Sequence, residues 1–224
     1  IAGQIAGARW GWSGIPSAWR EQIVAAERIG AIAGRLHDIG ADAAVHDPWP
    51  HDEFVHGWWI ERGVVLAGEY PGHHPGGHEL QMADEKLHLL VDHGIRTFVD
   101  LTTPLDPVEP YHDRVNEVAA LRGLDVQRIA HPTPAKGAID LDDCRAIVNT
   151  ITDARRRGGV YVHCWDGGER TATVAGCVLV AEGLDAESAL DSITQRRSLT
   201  RNGRRPAPQT PEHVNLIRQY ATQH

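Results

Sequence analysis

Between Val160 and Thr171 the chain reads Val-Tyr-Val-His-Cys-Trp-Asp-Gly-Gly-Glu-Arg-Thr, an apolar run that delivers Cys164, then five residues, then Arg170 and Thr171. Val160, Tyr161 and Val162 predict a short buried strand, and Thr171 to Val180 predict a helix that starts near Arg170. Strand, tight loop and helix in that order bring the backbone N–H groups of Trp165, Asp166, Gly167, Gly168, Glu169 and Arg170 around one point. Such a curl requires positive φ, which Gly167 and Gly168 can adopt. The helix start directs its positive end at the same point, which favours a tetrahedral anion and is expected to lower the Cys164 thiol pKa. A nucleophile and an anion cradle therefore coincide.

The rest of the chain alternates strand and helix patterns. Strands are predicted at 54–60, 64–70, 95–101 and 124–129, and helices at 79–93, 111–121 and 141–154. After the cradle come a helix from Asp185 through Ile193 and a last helix with Pro211 in its first turn. This order predicts an α/β fold with a mostly parallel central sheet flanked by helices, preceded by a small helical segment. In such sheets ligands bind beyond the carboxyl ends of the strands, where Cys164 falls. Pro71 to Gly77 reads as a loop. Trp58 and Trp59 suit either core or rim.

Composition narrows the class. With 224 residues, 42% hydrophobic and 23% charged, the chain is that of a globular protein with a real core. A formal charge of −8, with no basic stripe beyond the short clusters 155–157, 196–197 and 201–205, argues against nucleic acid as a partner. Neither a membrane span nor a secretory leader is apparent. The three cysteines, Cys144, Cys164 and Cys177, have unrelated spacings, which suits a reducing compartment, and a cytoplasmic location is expected. His73, His74 and His78 could suggest a metal site, but Pro75, Gly76 and Gly77 make that stretch a loop with no acidic or cysteine partner beside it. No metal and no cofactor are expected.

The string from His163 to Thr171 resembles the signature of the cysteine-dependent tyrosine and dual-specificity phosphatases. The likeness extends over roughly residues 54–222, through Leu66-Ala-Gly-Glu-Tyr-Pro71, Val99-Asp-Leu-Thr102, Gly176 to Val180 and Gln209-Thr-Pro-Glu212. It implies that Cys164, as thiolate, attacks phosphorus and forms a phosphocysteine that water hydrolyses. The planar fork of Arg170 would hold two equatorial oxygens. The Thr171 hydroxyl would stabilise the sulfur as a leaving group, and His163 would fix the loop by hydrogen bonds. The implied partner is a phosphorylated protein or a small phosphorylated metabolite. Rhodanese-type sulfur transfer and arsenate reduction also use a cysteine in an anion loop, but neither accounts for the whole string, and an arsenate reductase needs a well-placed resolving cysteine.

Two departures from the family pattern stand out. The resemblance places an acid that protonates the leaving oxygen about thirty residues before the nucleophile, and here that position is Ala135. Asp140, Asp142 or Asp143 could substitute, although each suits a helix start better. Within the cradle, Asp166 and Glu169 are negative. Turned outward they are screened; turned inward they oppose phosphate and raise the Cys164 pKa. These departures keep open an impaired, phosphate-dependent binding module.

Within a helical segment 1–40, residues 1–38 resemble the C-terminal tail of ADP-ribosylglycohydrolases without that family's metal-binding segment, and an unrelated helical hairpin fits equally. Residues 41–53 read as a linker and 54–224 as the phosphatase-like domain. The chain opens on Ile1 and its only methionine is Met82, so it reads as a fragment or processed form.

Overall fold

The computed structural model describes residues 51–74, 80–134, 137, 139–198, 200 and 203–223. The expected helical segment 1–40, most of the linker, His78 and Ala135 lie outside them. The described elements are α1 (Asp52–Val55), β1 (Gly57–Glu61), β2 (Val65–Gly68), α2 (Leu80–Asp92), β3 (Ile95–Asp100) and α3 (His112–Ala120). They continue with β4 (Gln127–Ala130), α4 (Leu141–Ala154), β5 (Gly159–His163), α5 (Glu169–Ala181), α6 (Ala186–Arg197) and α7 (Pro211–Thr222).

The sheet runs β1-β2-β5-β3-β4. Only the β1–β2 pair is antiparallel; β2–β5, β5–β3 and β3–β4 are parallel. Because successive strand residues face opposite sides, the alternation along β5 divides the core. Val160 and Val162 pack on one face with Ile147, Ile151, Val174 and Ile217, while Tyr161 packs on the other with Leu87, Leu90, Phe98 and Val115. Helices α4 to α7 therefore cover one face and α2 and α3 the other. β5, fully buried and central, is the strand that ends in Cys164.

Three boundaries differ from the sequence reading. The stretch 54–60 is not one strand: a short helix ends at His56, whose φ of 50° breaks the chain direction before β1 begins. The strand predicted at 124–129 is β4 at Gln127–Ala130, a sheet-edge strand whose residues alternate between half-buried and exposed. The helix after Asp185 continues to Arg197, past Ile193; the Asp185 carboxylate accepts from Ser188 N–H at 2.9 Å at its start. Trp58 belongs to the core, and Trp59 is half-buried against the opposite cluster.

Candidate active site

Cys164 follows directly on β5, and its side chain is enclosed at 1% exposure. The chain then turns at Gly167, with φ +67°, and enters α5 through Gly168. Gly167 is required on two grounds. Its φ suits glycine, and a Cβ there would lie 2.8 Å from both the Glu69 nitrogen and the Gly68 carbonyl carbon. The turn therefore rests directly on the backbone that follows β2. Tyr70 N–H donates to the Trp165 carbonyl at 3.0 Å, tying the same two segments together.

Arg170, in the first turn of α5, is 5% exposed. Its Nη1 donates to Asp106 Oδ2 at 2.9 Å, Leu101 O at 3.2 Å and Thr133 O at 3.3 Å, and its Nη2 donates to Asp106 Oδ1 at 2.7 Å. The Nη1–Nη2 edge of the guanidinium is thus filled. Among the described residues, the Nε–Nη2 edge makes no protein hydrogen bond beyond that one Nη2 contact. Asp106 also accepts from Thr103 N–H at 2.7 Å. Burial works to raise its pKa, but the Arg170 and Thr103 bonds prevail and hold the carboxyl below its ordinary value. Asp106 is therefore a fixed anion that aims the arginine, not a proton donor.

His163 is fully buried, with Nε2 2.8 Å from the Tyr111 hydroxyl and Nδ1 3.8 Å from Asp100 Oδ1. Burial pushes its pKa down to about 4 against the opposing pull of Asp100, so the ring is neutral near pH 7. Asp100 itself is anchored by Thr102 N–H at 2.8 Å and Arg128 Nε at 2.7 Å. The histidine is thereby held between the end of β3 and the start of α3.

The expected lowering of the Cys164 pKa is not what the structure gives. Burial, the largest influence, pushes the thiol up, and Asp166 adds to that; Arg170 and the Thr171 hydroxyl and N–H pull the other way without prevailing. The Thr171 hydroxyl also makes a long contact of 3.4 Å to the Gly68 carbonyl. The two acidic residues of the loop part company. Glu169 turns away, accepting from Gln209 N–H at 2.8 Å and Thr210 N–H at 3.3 Å and facing His213 Nδ1 at 3.3 Å. Asp166 turns in: its Oδ1 accepts the Gly168 N–H at 2.9 Å and lies 3.8 Å from Cys164 Sγ, so that loop N–H is already taken. Trp165 is partly exposed, and its indole N–H donates to His74 Nδ1 at 2.9 Å.

Asp140 caps α4, accepting from Asp142 N–H at 2.8 Å, which ties its carboxylate to that helix start. His73 faces Glu109 at 3.0 Å. Among the described residues no group of three or more His, Cys, Asp and Glu side chains is arranged to hold a metal. None of the described helices is long and apolar enough to cross a membrane.

Sequence reasoning missed three supports. Asp106, which aims Arg170, sits in a loop that carries no motif. Tyr111, which holds His163, reads only as the start of a helix. Glu69 and Lys86 form a fully buried ion pair at 3.1 Å. Lys86 also donates to Tyr70 O at 3.2 Å, and the Tyr161 hydroxyl donates to Glu69 O at 2.6 Å, so the pair props the segment on which Gly167 rests. It had a signal: Lys86 shares a helix face with the apolar Ala83, Leu87 and Leu90.

Comparison with known proteins bears on the family and the fold. Residues 72–223 match the family described as "Swiss Army Knife protein, DSP-PTPase phosphatase domain". Among solved structures the fold is similar to Tk-PTP in its active form, with 20% identity, TM-score 0.55, and coverage of 79% of this chain and 99% of that one. It is also similar to the human tyrosine phosphatase-like serine/threonine/tyrosine-interacting protein, at 14% identity, TM-score 0.54, and coverage of 75% and 96%. A third is kinase associated phosphatase with its catalytic-site cysteine changed to serine, at 20% identity, TM-score 0.52, and coverage of 75% and 95%. No curated protein matches the sequence.

Proposed function

The chain belongs to the DSP-PTPase phosphatase domain family of Swiss Army Knife proteins, and from that membership we propose that it hydrolyses phosphate monoesters through a phosphocysteine at Cys164. The observation that carries the reading is the division of Arg170. One edge of its guanidinium is clamped by Asp106, and the Nε–Nη2 edge remains for two equatorial phosphate oxygens beside the sulfur. In this reading the loop N–H groups from Trp165 to Arg170 complete the cradle. Thr171 supports the departing sulfur, and His163 holds the strand end in place as a neutral ring.

Ala135 offers no proton at the position where the family resemblance puts one, so the favoured substrates carry good leaving groups. A phenol, with a pKa of about 10, needs protonation less than an alcohol does, which points to protein phosphotyrosine or another aryl phosphate. A cytoplasmic location belongs to the same reading, supported by three free cysteines. The phosphatase domain is proposed to begin after the linker 41–53.

A second reading, an impaired phosphate-dependent binding module, draws on the raised Cys164 pKa and the inward Asp166. Turnover of an aryl phosphate by the parent, Cys164→Ser and Ala135→Asp separates the two. The enzyme reading expects turnover in the parent, none above background in Cys164→Ser, and a gain in Ala135→Asp that is larger for an alkyl phosphate. Phosphate-dependent binding of a partner with no turnover in the parent or in Ala135→Asp would establish the binding module instead.

A further inference from the structure

In the resting cradle the Cys164 thiol donates to Asp166 Oδ1 across 3.8 Å, and the same oxygen accepts the Gly168 N–H at 2.9 Å. Asp166 is otherwise exposed at the mouth of the site. It is the carboxylate placed to meet both the sulfur and whatever leaves at the mouth. Glu169 is committed to Gln209 and Thr210, Asp106 to Arg170, and Asp140 to the start of α4.

Resting on the phosphatase reading, we infer that Asp166 is a further catalytic residue that shuttles the proton of Cys164 to the leaving group and back. A phosphate dianion entering the cradle competes for the Gly168 N–H, and once the carboxyl holds the thiol proton it is displaced from beside the sulfur toward the leaving oxygen at the mouth. In the first step Asp166 takes the thiol proton and the thiolate attacks phosphorus. The bond between phosphorus and the leaving oxygen breaks, and Asp166 delivers the proton to that oxygen as the alcohol or phenol departs. In the second step Asp166 takes a proton from water as the water oxygen attacks the phosphocysteine. The sulfur–phosphorus bond breaks, and the proton returns to the sulfur as inorganic phosphate leaves. Each turnover consumes one water and leaves thiol and carboxylate as they began, with no other reactant.

The raised thiol pKa fits this role, because the nucleophile then enters as a thiol whose proton needs an acceptor. The charged groups around the pair are Arg170 from α5 and the buried Arg197 from α6, each of which senses both Cys164 and Asp166. The nearby His163 is held neutral, and Glu69 is paired with Lys86.

The test compares the parent, Asp166→Asn, Asp166→Glu and Cys164→Ser on p-nitrophenyl phosphate, phenyl phosphate and phosphoserine, together with the pH dependence of Cys164 alkylation by iodoacetamide. Asparagine keeps an acceptor for the Gly168 N–H, so the loop is preserved while proton transfer is lost. The expected result is that Asp166→Asn loses about 10²-fold or more on phenyl phosphate and phosphoserine relative to p-nitrophenyl phosphate. At the same time alkylation shifts to lower pH, and Asp166→Glu recovers part of the loss. Equal change on all three substrates, or a uniform gain, would show that Asp166 merely obstructs the cradle and would overturn this inference alone. Turnover that survives in Cys164→Ser, or a parent inert even to p-nitrophenyl phosphate, would overturn the phosphatase reading and this inference with it.

Discussion

Arg170→Lys is expected to lower aryl phosphate turnover by about 10²- to 10³-fold, the range seen when one preorganised oxyanion donor is removed. Lysine keeps the positive charge, so a loss of that size isolates geometry from charge. In the proposed reading the guanidinium serves two sides at once: Asp106 takes the Nη1–Nη2 edge at 2.9 and 2.7 Å, and the Nε–Nη2 edge is left for the substrate. A single ammonium cannot bridge both. It would settle against Asp106 and the Leu101 and Thr133 carbonyls, leaving the anion without its fork. Steady-state kinetics on p-nitrophenyl phosphate checks this; turnover within threefold of the parent would show that the fork does not hold the phosphate.

Lys86→Met is expected to destabilise the domain by about 3–5 kcal/mol, because it removes the cation facing the fully buried Glu69. For a chain of this size that corresponds to a fall in Tm on the order of 10 °C. The effect should reach the site. Gly167 packs against the Gly68–Glu69 backbone, and Tyr161 holds the Glu69 carbonyl, so displacing Glu69 shifts the floor of the cradle. Combining Lys86→Met with Glu69→Gln should recover part of the lost stability, since the stranded charge and not the missing contact dominates the cost. Thermal unfolding of the parent, the single and the double variants checks this. A single variant that melts with the parent would remove the pair from the account.

The sequence made the center of the molecule legible and left its supports obscure, for a physical reason. The Cys164 loop, the buried β5 and the amphipathic α4 are set by neighbours a few residues apart, and local pattern reads them. The aim of Arg170 is set by Asp106, and the lock on His163 by Tyr111, contacts that exist only once β3 and β5 lie side by side. The orientation of Asp166 and Glu169 was open from sequence because both choices are sterically available. The structure separates them through the 209–210 backbone, whose N–H groups draw Glu169 outward, while the Gly168 N–H draws Asp166 in. The direction of the Cys164 pKa was misjudged for a related reason. The helix start and loop N–H groups are visible in sequence, but the depth of burial that outweighs them is not.

In the proposed reading Cys164 carries the phosphoryl group during turnover. The decisive experiment is a rapid denaturing quench at alkaline pH during p-nitrophenyl phosphate hydrolysis, followed by peptide mass mapping. One phosphoryl group is expected on the peptide containing Cys164, and none on that peptide in Cys164→Ser. Turnover that proceeds with the Cys164 peptide unmodified and a phosphoryl group on another residue would contradict it.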